Sequence, residues 1–244
     1  MRKGAILVFA RRPGLGQVKT RLAGFLGDHC TLALYRAFLN DTLLAAREAE
    51  ATVILAHTPG THFPELELTD IAFEQHGSSF GERFDTALAE AVNHLPHGTP
   101  IILIGADTPH LSPGSLREAL NLLEGSEAVL GPSINGGFYL LGFSSRPVQV
   151  SRVFAYSSAR EPIEVCRILL RAGMKPELLE SSFDVDTPSD LFNLKVLLDL
   201  RDAVGSEWVP PRTQKMLRDD ERIATSMSVL GSKWLKTPVS LIHT

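Results

Sequence analysis

Two unbroken apolar runs, residues 4–10 and 100–105, constrain the fold of this chain more than any other feature. A strand with one solvent-exposed face alternates apolar and polar residues. These runs do not alternate, as expected of strands that are buried on both faces. Such strands lie inside a mostly parallel sheet that has helices on both sides. The runs therefore predict an α/β domain, and 244 residues suffice to bury its core.

Shorter segments complete an alternation of strands and helices. Further strands are predicted at 51–57, 71–75, 127–132, 138–143 and around 177–180. Helices are predicted at 28–48, 79–94, 159–172 and 189–203, and one more begins near Ser112 or Ser115 and ends at about 124. Only Ser-Ile-Asn-Gly-Gly, residues 133–137, separates two of these strands, which favours a hairpin. One antiparallel hairpin in such a chain predicts a mixed, mostly parallel sheet.

Residues 1–204 are predicted to form one domain. Residues 205–244 lack strong periodicity but contain both tryptophans and several prolines, which predicts a C-terminal extension that packs on the domain or on a neighbour. Packing on a neighbour would make the protein a homo-oligomer. No apolar run reaches the roughly 18 residues that a membrane span needs. The only two cysteines, Cys30 and Cys166, indicate neither a disulfide framework nor a zinc site, so a cytoplasmic location is expected.

Charge is distributed unevenly along the chain. The net charge is −4, with 24 Lys and Arg against 28 Asp and Glu. Six of the basic residues and none of the acidic ones lie in residues 1–27, so the remainder carries 18 − 28 = −10. An acidic protein with one basic pole suits a small polyanion such as a nucleotide, and it argues against general nucleic-acid binding.

A basic, glycine-containing loop, residues 11–21, follows the first strand. Gly14 and Gly16 would let backbone N–H groups approach a phosphate, and Lys19 and Arg21 would add positive charge. The loop matches neither the Walker A pattern nor the dinucleotide pattern G-x-G-x-x-G. Phosphate binding is the favoured interpretation, and a solvated basic loop is the alternative.

Two acidic segments follow other predicted strands. Asp107 comes directly after the run at 100–105, and Asp184 and Asp186 follow a later strand. Carboxylates at such positions can bind Mg²⁺ or Mn²⁺ together with substrate phosphates. The alternative is a turn or a helix cap. If both strand ends lie near the basic loop, acids and cations surround one crevice.

The hairpin turn and one arginine are further candidates. Asn135 and Tyr139 flank Gly136 and Gly137, which would let a ligand lie against bare backbone, so an acceptor or sugar could bind there. A plain turn is an equal alternative. Arg83 either reaches the nucleotide or pairs with its neighbouring glutamate at the surface. A solvated side chain is expected for all eight histidines.

Six segments in order resemble one bacterial family: FARRPGLGQVKTRL, LNDTLLAA, QHGSSFGERF, IGADTPHL, VLGPSINGGFYLLG and DVDTPSDL. The family is described as nucleotide-diphospho-sugar transferases. It belongs to the glycosyltransferase-A-like superfamily, which also contains the molybdenum-cofactor and phospholactate guanylyltransferases. The resemblance covers about residues 4–200.

This resemblance implies a three-layer, Rossmann-like fold with a nucleotide-binding amino half and an acceptor-binding carboxyl half. It implies phosphate-binding roles for Arg11, Lys19 and Arg21. The metal-binding acid of the superfamily matches Asp107, and its second acid matches Asp186, with Asp184 as a rival. Asn135 departs from the family pattern, because relatives usually carry aspartate there, and relatives often have an acidic residue near Ser79.

Three functional hypotheses follow. The first is a transferase that takes a glycosyl group from a nucleotide-sugar to a small-molecule acceptor. It would depend on Mg²⁺ or Mn²⁺ and use Lys19, Asp107 and Asp186 as catalytic residues. The second is a nucleotidyltransferase that transfers NMP from an NTP to a phosphorylated acceptor and releases pyrophosphate. The third is a non-catalytic nucleotide-binding protein.

Overall fold

The computed structural model describes residues 4–60, 64–155 and 160–235, and these contain one seven-stranded sheet. The strands are β1 (Ala5–Ala10), β2 (Thr52–His57), β3 (Ile71–Glu74), β4 (Ile101–Gly105), β5 (Ala128–Pro132), β6 (Phe138–Phe143) and β7 (Pro176–Leu178). Their order is β3-β2-β1-β4-β6-β5-β7, and β6 runs antiparallel to both of its neighbours. The predicted mixed, mostly parallel sheet with one antiparallel hairpin is confirmed.

Helices flank the sheet and extend beyond it. They are α1 (Thr20–Leu26), α2 (Asp28–Glu48), α3 (Phe80–Asn93), α4 (Pro113–Leu122), α5 (Glu161–Arg171), α6 (Pro188–Ala203), α7 (Pro211–Asp219) and α8 (Glu221–Leu235). Two 3₁₀ helices, Pro64–Leu68 and Ser151–Ala155, lie in the connections. Within the described ranges, no helix has both the length and the hydropathy needed to cross a membrane.

The sheet is buried on both faces, as the apolar runs predict. Alternate residues of β1 point to opposite sides: Ile6 and Val8 pack in a core with α2 and α4, whereas Ala5 and Leu7 pack in a second core with α3 and α5. All four side chains are fully buried. Burial of a large aliphatic side chain contributes roughly 1.5–3 kcal/mol. The predicted three-layer architecture with helices on both faces is therefore confirmed.

A third apolar cluster joins α1, α2 and α6 to the C-terminal helices α7 and α8. Neither α1, α7 nor α8 was predicted from the sequence. The first turn of α7 is capped from a distant part of the chain, because the buried carboxylate of Asp41 in α2 accepts the backbone N–H of Arg212 and of Thr213 at 3.1 and 2.6 Å. Burial raises the pKa of Asp41 although both bonds favour its charged form.

Candidate functional site

A crevice of about 910 Å³ opens at the edge of the sheet where β1 and β4 end. Its walls come from the loop after β1, the loop after β4, the turn between β5 and β6, and the segment before α6. A cavity of this size is typical of small-molecule sites. Open α/β sheets bind ligands outside the carboxyl ends of their strands, so this crevice is the candidate functional site.

Lys19 lies at the centre of the polar end of the crevice. Its backbone has φ 46° and ψ 47°, a left-handed conformation that costs a non-glycine residue on the order of 1 kcal/mol. Its Nζ atom donates to Asp186 Oδ1 at 2.6 Å and to Asp107 Oδ2 at 3.3 Å. Only 8% of the Lys19 side chain is exposed, against 35% for Asp107 and 45% for Asp186. The structure therefore brings the three predicted catalytic residues into one ion-paired group.

Charge and burial act against each other in this group. Burial alone would lower the pKa of Lys19, but the carboxylates of Asp107 and Asp186 outweigh it, and the pKa is raised. Burial, together with the charge of Asp107, raises the pKa of Asp184 to about 7. The Lys19 ammonium is thus kept protonated by the acids around it.

Neither Asp107 nor Asp186 serves as a helix cap, which was one of the two alternative roles. Thr187 caps α6, where its Oγ1 accepts the backbone N–H of Asp190 at 3.3 Å in a capping box. Ser112 caps α4 in the same way, with its Oγ accepting a backbone N–H at 3.0 Å. Since neighbouring hydroxyls supply the caps, both carboxylates are left to pair with Lys19.

One hydrogen bond holds the two acidic segments beside each other, and a second one ties the hairpin turn to the later segment. The backbone N–H of Val185 donates to the carbonyl of Asp107 at 2.9 Å. Asn135 Nδ2 donates to the carbonyl of Asp184 at 3.1 Å. The relative positions of the carboxyl groups are therefore set by the backbone and not by flexible side chains alone.

The expectation of a solvated side chain is wrong for His57, which is 7% exposed, and also for His110, which reinforces the same junction. It is 4% exposed, its Nε2 atom lies 2.8 Å from Ser182 Oγ, and its ring stacks on Phe183 with the centroids 4.3 Å apart. Burial, aided by the positive charge of Arg201, lowers its pKa to about 3. A neutral histidine therefore links the loop after β4 to the segment before α6.

The predicted phosphate-binding residues divide into two groups. Arg11, Arg21 and Arg83 line the crevice with Lys19, whereas Gly14 and Gly16 lie outside its lining. Arg11 and Arg21 are exposed at the rim. Gly16 has φ 67°, a conformation that glycine adopts without strain, so its place in the loop is explained by the turn. Direct contact of Gly14 and Gly16 with a phosphate stays a prediction.

The predicted acceptor residues divide in a similar way. Asn135, Gly137 and Tyr139 line the crevice, whereas Gly136, with φ 94°, lies outside its lining and shapes the turn. The hydroxyl of Tyr139 donates to the carbonyl of Glu180 at 2.9 Å. Burial raises the pKa of Tyr139 to about 12, so the phenol stays protonated and bonded to the backbone.

Other lining residues were not identified from the sequence. Gln75 is 3% exposed, and its Nε2 atom donates to the carbonyls of Ala10 and Ala56, both at 2.9 Å, which joins the ends of β1 and β2. A buried polar residue at the end of a predicted strand, 71–75, was the available signal. Tyr35 donates through its hydroxyl to the carbonyl of Arg11 at 2.7 Å and so supports the basic loop.

Five phenylalanines form an apolar wall in the same crevice. This phenylalanine wall comes from β1, α3, β6 and the 3₁₀ helix Ser151–Ala155, and it consists of Phe9, Phe80, Phe84, Phe138 and Phe154. Each ring has a neighbour in the wall with the ring centroids 4.8–5.9 Å apart. These residues are dispersed along most of the chain, so no local pattern indicated their grouping.

The donor set of the polar end fits a hard divalent cation. Oxygen atoms of Asp107 and Asp186 already converge on one positive nitrogen, and Mg²⁺ and Mn²⁺ prefer such carboxylate ligands. In residues 4–60, 64–155 and 160–235, no group of three His, Cys, Asp or Glu is arranged to hold a metal ion by itself. Substrate oxygens or water would therefore have to complete the coordination.

The strand order and the position of the crevice define a protein of the glycosyltransferase-A-like fold class. A hypothetical transferase structure from Thermus thermophilus shares this fold. It is 16% identical, with 78% of this chain and 99% of that chain covered and a TM-score of 0.50. The 2-C-methyl-D-erythritol 4-phosphate cytidylyltransferase from the same organism is 17% identical, with 80% and 98% covered and a TM-score of 0.48.

The family profile for an uncharacterized protein conserved in bacteria (DUF2064) matches residues 39–158, which confirms the family resemblance drawn from the motifs. A structure from Desulfovibrio desulfuricans G20, provisionally described as a nucleotide-diphospho-sugar transferase, is 28% identical. Its alignment covers 93% of this chain and 99% of that chain, with a TM-score of 0.76. None of the curated proteins matches this chain.

Proposed function

We propose that the protein is a metal-dependent transferase that moves a glycosyl group from a nucleotide-diphospho-sugar to a small-molecule acceptor. The observation that carries this proposal is the ion-paired group of Lys19, Asp107 and Asp186 in a crevice with Arg11 and Arg21 at its rim. The group combines cations for a diphosphate with oxygen ligands for a metal. The provisional description of the relative that is 28% identical supports the same donor class.

The chain's own cations would act on the leaving group. An acceptor oxygen forms a bond to the anomeric carbon, and the bond from that carbon to the diphosphate breaks. The nucleoside diphosphate leaves with the bonding electrons, and the proton of the acceptor passes to solvent. Lys19, Arg11 and Arg21 would offset the negative charge that develops on the diphosphate, which is the kind of electrostatic stabilisation that enzymes use most.

The two acids have a separate role in this proposal. Asp107 and Asp186 would hold a Mg²⁺ or Mn²⁺ ion that supplies positive charge beside the diphosphate. Both acids also pair with Lys19. Once a diphosphate enters, its oxygens give the Lys19 ammonium a second set of partners. Lys19 would therefore pair with either the acids or the substrate.

The test is a thermal-stability panel of NTPs and nucleotide-sugars, each with and without Mg²⁺ or Mn²⁺, followed by product analysis for every nucleotide that binds. A ligand at 100 times its dissociation constant adds about 2.7 kcal/mol to the free energy of unfolding, which is a visible shift. We expect a metal-dependent shift with at least one nucleotide-sugar and release of the nucleoside diphosphate in the presence of an acceptor.

Other outcomes would replace this function. A shift with an NTP alone, followed by pyrophosphate release, would make the protein a nucleotidyltransferase. Tight nucleotide binding that Asp107→Ala leaves unchanged, without turnover, would make it a non-catalytic binding protein. No shift with any nucleotide would refute the nucleotide site itself.

A further inference from the structure

The two acids of the ion-paired group stand on backbone that is tied in place. Asp107 Oδ1 lies over Gly105, where a Cβ atom would meet it at 2.4 Å, so only glycine leaves room for the carboxylate in this position. The backbone N–H of Asp186 donates to Asp190 Oδ2 at 3.1 Å, and that of Val185 donates to the carbonyl of Asp107 at 2.9 Å. A cation that uses both acids therefore has to bind them close to this arrangement.

Lys19 is anchored at its backbone, whereas its side chain can turn. The Lys19 carbonyl accepts the backbone N–H groups of Leu22 and Ala23 at 2.8 and 3.1 Å, which anchors the residue at the start of α1. A flexible aliphatic stem then carries the Nζ atom. Of the three charged groups, the ammonium is therefore the one that can change partners without a movement of its loop.

The Lys19 ammonium and a divalent cation require the same two carboxylates. Nζ takes one oxygen from each acid, at 2.6 Å from Asp186 and 3.3 Å from Asp107. An ion bound directly to either carboxylate would stand roughly 4–6 Å from Nζ, where like charges repel. Only 8% of the Lys19 side chain is exposed, so water and salt screen this repulsion weakly. Lys19 therefore opposes the binding of a free ion at the acids.

A diphosphate removes this conflict. Its oxygens offer the Lys19 ammonium new partners in the crevice that Arg11 and Arg21 also line. A divalent ion that arrives with the diphosphate brings phosphate oxygens as further ligands. The acids need this help, because the described part of the chain contains no group of three His, Cys, Asp or Glu that could hold a metal ion. The charges of the site are therefore satisfied best when ion and diphosphate bind together.

We propose that the site takes up its divalent cation only as a metal–diphosphate complex, and that Lys19 excludes the free ion. The identity of the molecule that carries the diphosphate rests on the function proposed above. The exclusion itself concerns only Lys19 and the two acids, so it holds equally for inorganic pyrophosphate.

The probes are Mn²⁺ and inorganic pyrophosphate. The full chain is dialysed to equilibrium against Mn²⁺ alone, pyrophosphate alone and an equimolar mixture, and manganese and phosphorus are measured on both sides of the membrane. Lys19→Met and Lys19→Gln each remove the charge, so either can be used if the other does not fold. Lys195→Met is the matched control, since Lys195 pairs with Asp199 at 2.6 Å outside the crevice.

For the unaltered protein we expect little retention of Mn²⁺ alone, and retention of manganese and pyrophosphate in equal amounts from the mixture. Each Lys19 variant should bind Mn²⁺ alone at least about tenfold more tightly, because a positive charge beside the two acids is gone. The same variants should retain pyrophosphate less well. Lys195→Met should behave as the unaltered protein does. Adding Asp107→Asn to Lys19→Met should abolish the gain in Mn²⁺ affinity, which places the gain at these acids.

Three results would overturn the proposal. The first is that the unaltered protein retains Mn²⁺ as strongly alone as with pyrophosphate. The second is that loss of the Lys19 charge leaves the affinity for Mn²⁺ alone unchanged or lowers it. The third is a gain that persists with Asp107→Asn, because the ion would then bind elsewhere. Failure of the proposed function reads differently: the Mn²⁺ and pyrophosphate results would stand, but no nucleotide-sugar would be turned over.

Discussion

The two ends of the crevice are built in opposite ways. At the polar end, three charged side chains from distant loops pair at 2.6 and 3.3 Å, and a backbone hydrogen bond joins the two loops that carry the acids. At the other end, five phenylalanines contact one another, and four of them remain partly open to the cavity. One end pairs its charged side chains with one another, whereas the other leaves apolar surface uncovered.

This difference separates two functions of one cavity. Charges that are paired before a ligand arrives are preorganised, and they can exchange partners without unfolding anything. Exposed aromatic rings gain their stabilisation only when a ligand covers them. The polar end is therefore expected to determine the reaction and the phosphate affinity, and the phenylalanine wall is expected to determine which second substrate fits.

Asp186→Asn is the test of this comparison with the largest expected effect, which is a loss of catalytic efficiency. The substitution preserves the shape but removes the charge that pairs with Lys19 at 2.6 Å and would hold the metal. We expect kcat/KM for the substrate found in the nucleotide panel to fall by about 10²- to 10³-fold, or roughly 3–4 kcal/mol. Asp199→Asn is the control, because Asp199 is 48% exposed and pairs with Lys195 outside the crevice. A loss below tenfold would make the ion-paired group structural.

The pH dependence of stability tests the scaffold behind the polar end. The pKa of His110 in the folded protein, about 3, lies below the ordinary value of 6.5, so the unfolded chain takes up the proton first. The stability that neutral His110 contributes is complete above pH 6.5 and is lost as pH falls toward 3. The loss is about 1.4 kcal/mol per pH unit, or roughly 2–3 kcal/mol between pH 6 and pH 4.

His110→Gln isolates this effect, because glutamine does not titrate. Urea unfolding at pH 6 and pH 4 should show a smaller loss of stability in the variant than in the unaltered protein. The carboxyl groups titrate in both proteins, so the difference between them reports on His110. An equal loss in both would show that His110 is not kept neutral.

Part of this architecture could be predicted from the sequence, because it rests on local patterns. The bounds of α2 follow from helical spacing, and the hairpin at 133–137 follows from its turn residues. The positions of the acids at strand ends follow from the predicted strands that precede them. The start of α7 could not be predicted, since its cap is Asp41, a side chain about 170 positions away. The phenylalanine wall depends likewise on contacts between distant segments.

Lys19→Ala tests how much the polar end contributes to nucleotide affinity. Removing one charge-assisted contact to a phosphate should weaken nucleotide affinity by about 2 kcal/mol, or roughly 30-fold. Lys195→Ala is the matched control, since Lys195 also pairs with a carboxylate at 2.6 Å but lies outside the crevice. Isothermal titration with the nucleotide from the panel measures both variants. Unchanged affinity in Lys19→Ala would remove Lys19 from the phosphate site.

Asn135→Ala gives the smallest expected effect and tests whether the two ends are separable. Asn135 lies in the turn that leads into Phe138, and it donates to the carbonyl of Asp184, so it joins this turn to the acidic segment. Loss of this hydrogen bond should cost about 0.5–1 kcal/mol of unfolding free energy in urea. Asn40→Ala, which loses an amide bond to the Arg36 carbonyl at 2.8 Å away from the crevice, should cost a similar amount.

Nucleotide affinity distinguishes these two asparagine variants. If the ends act separately, both variants bind the nucleotide within about twofold of the unaltered protein, because neither asparagine supplies charge to the phosphates. A loss in Asn135→Ala as large as that in Lys19→Ala would mean that the turn positions the acids for phosphate binding. The polar end and the phenylalanine wall would then form one coupled unit, since the turn that carries Phe138 would also set the geometry around Lys19.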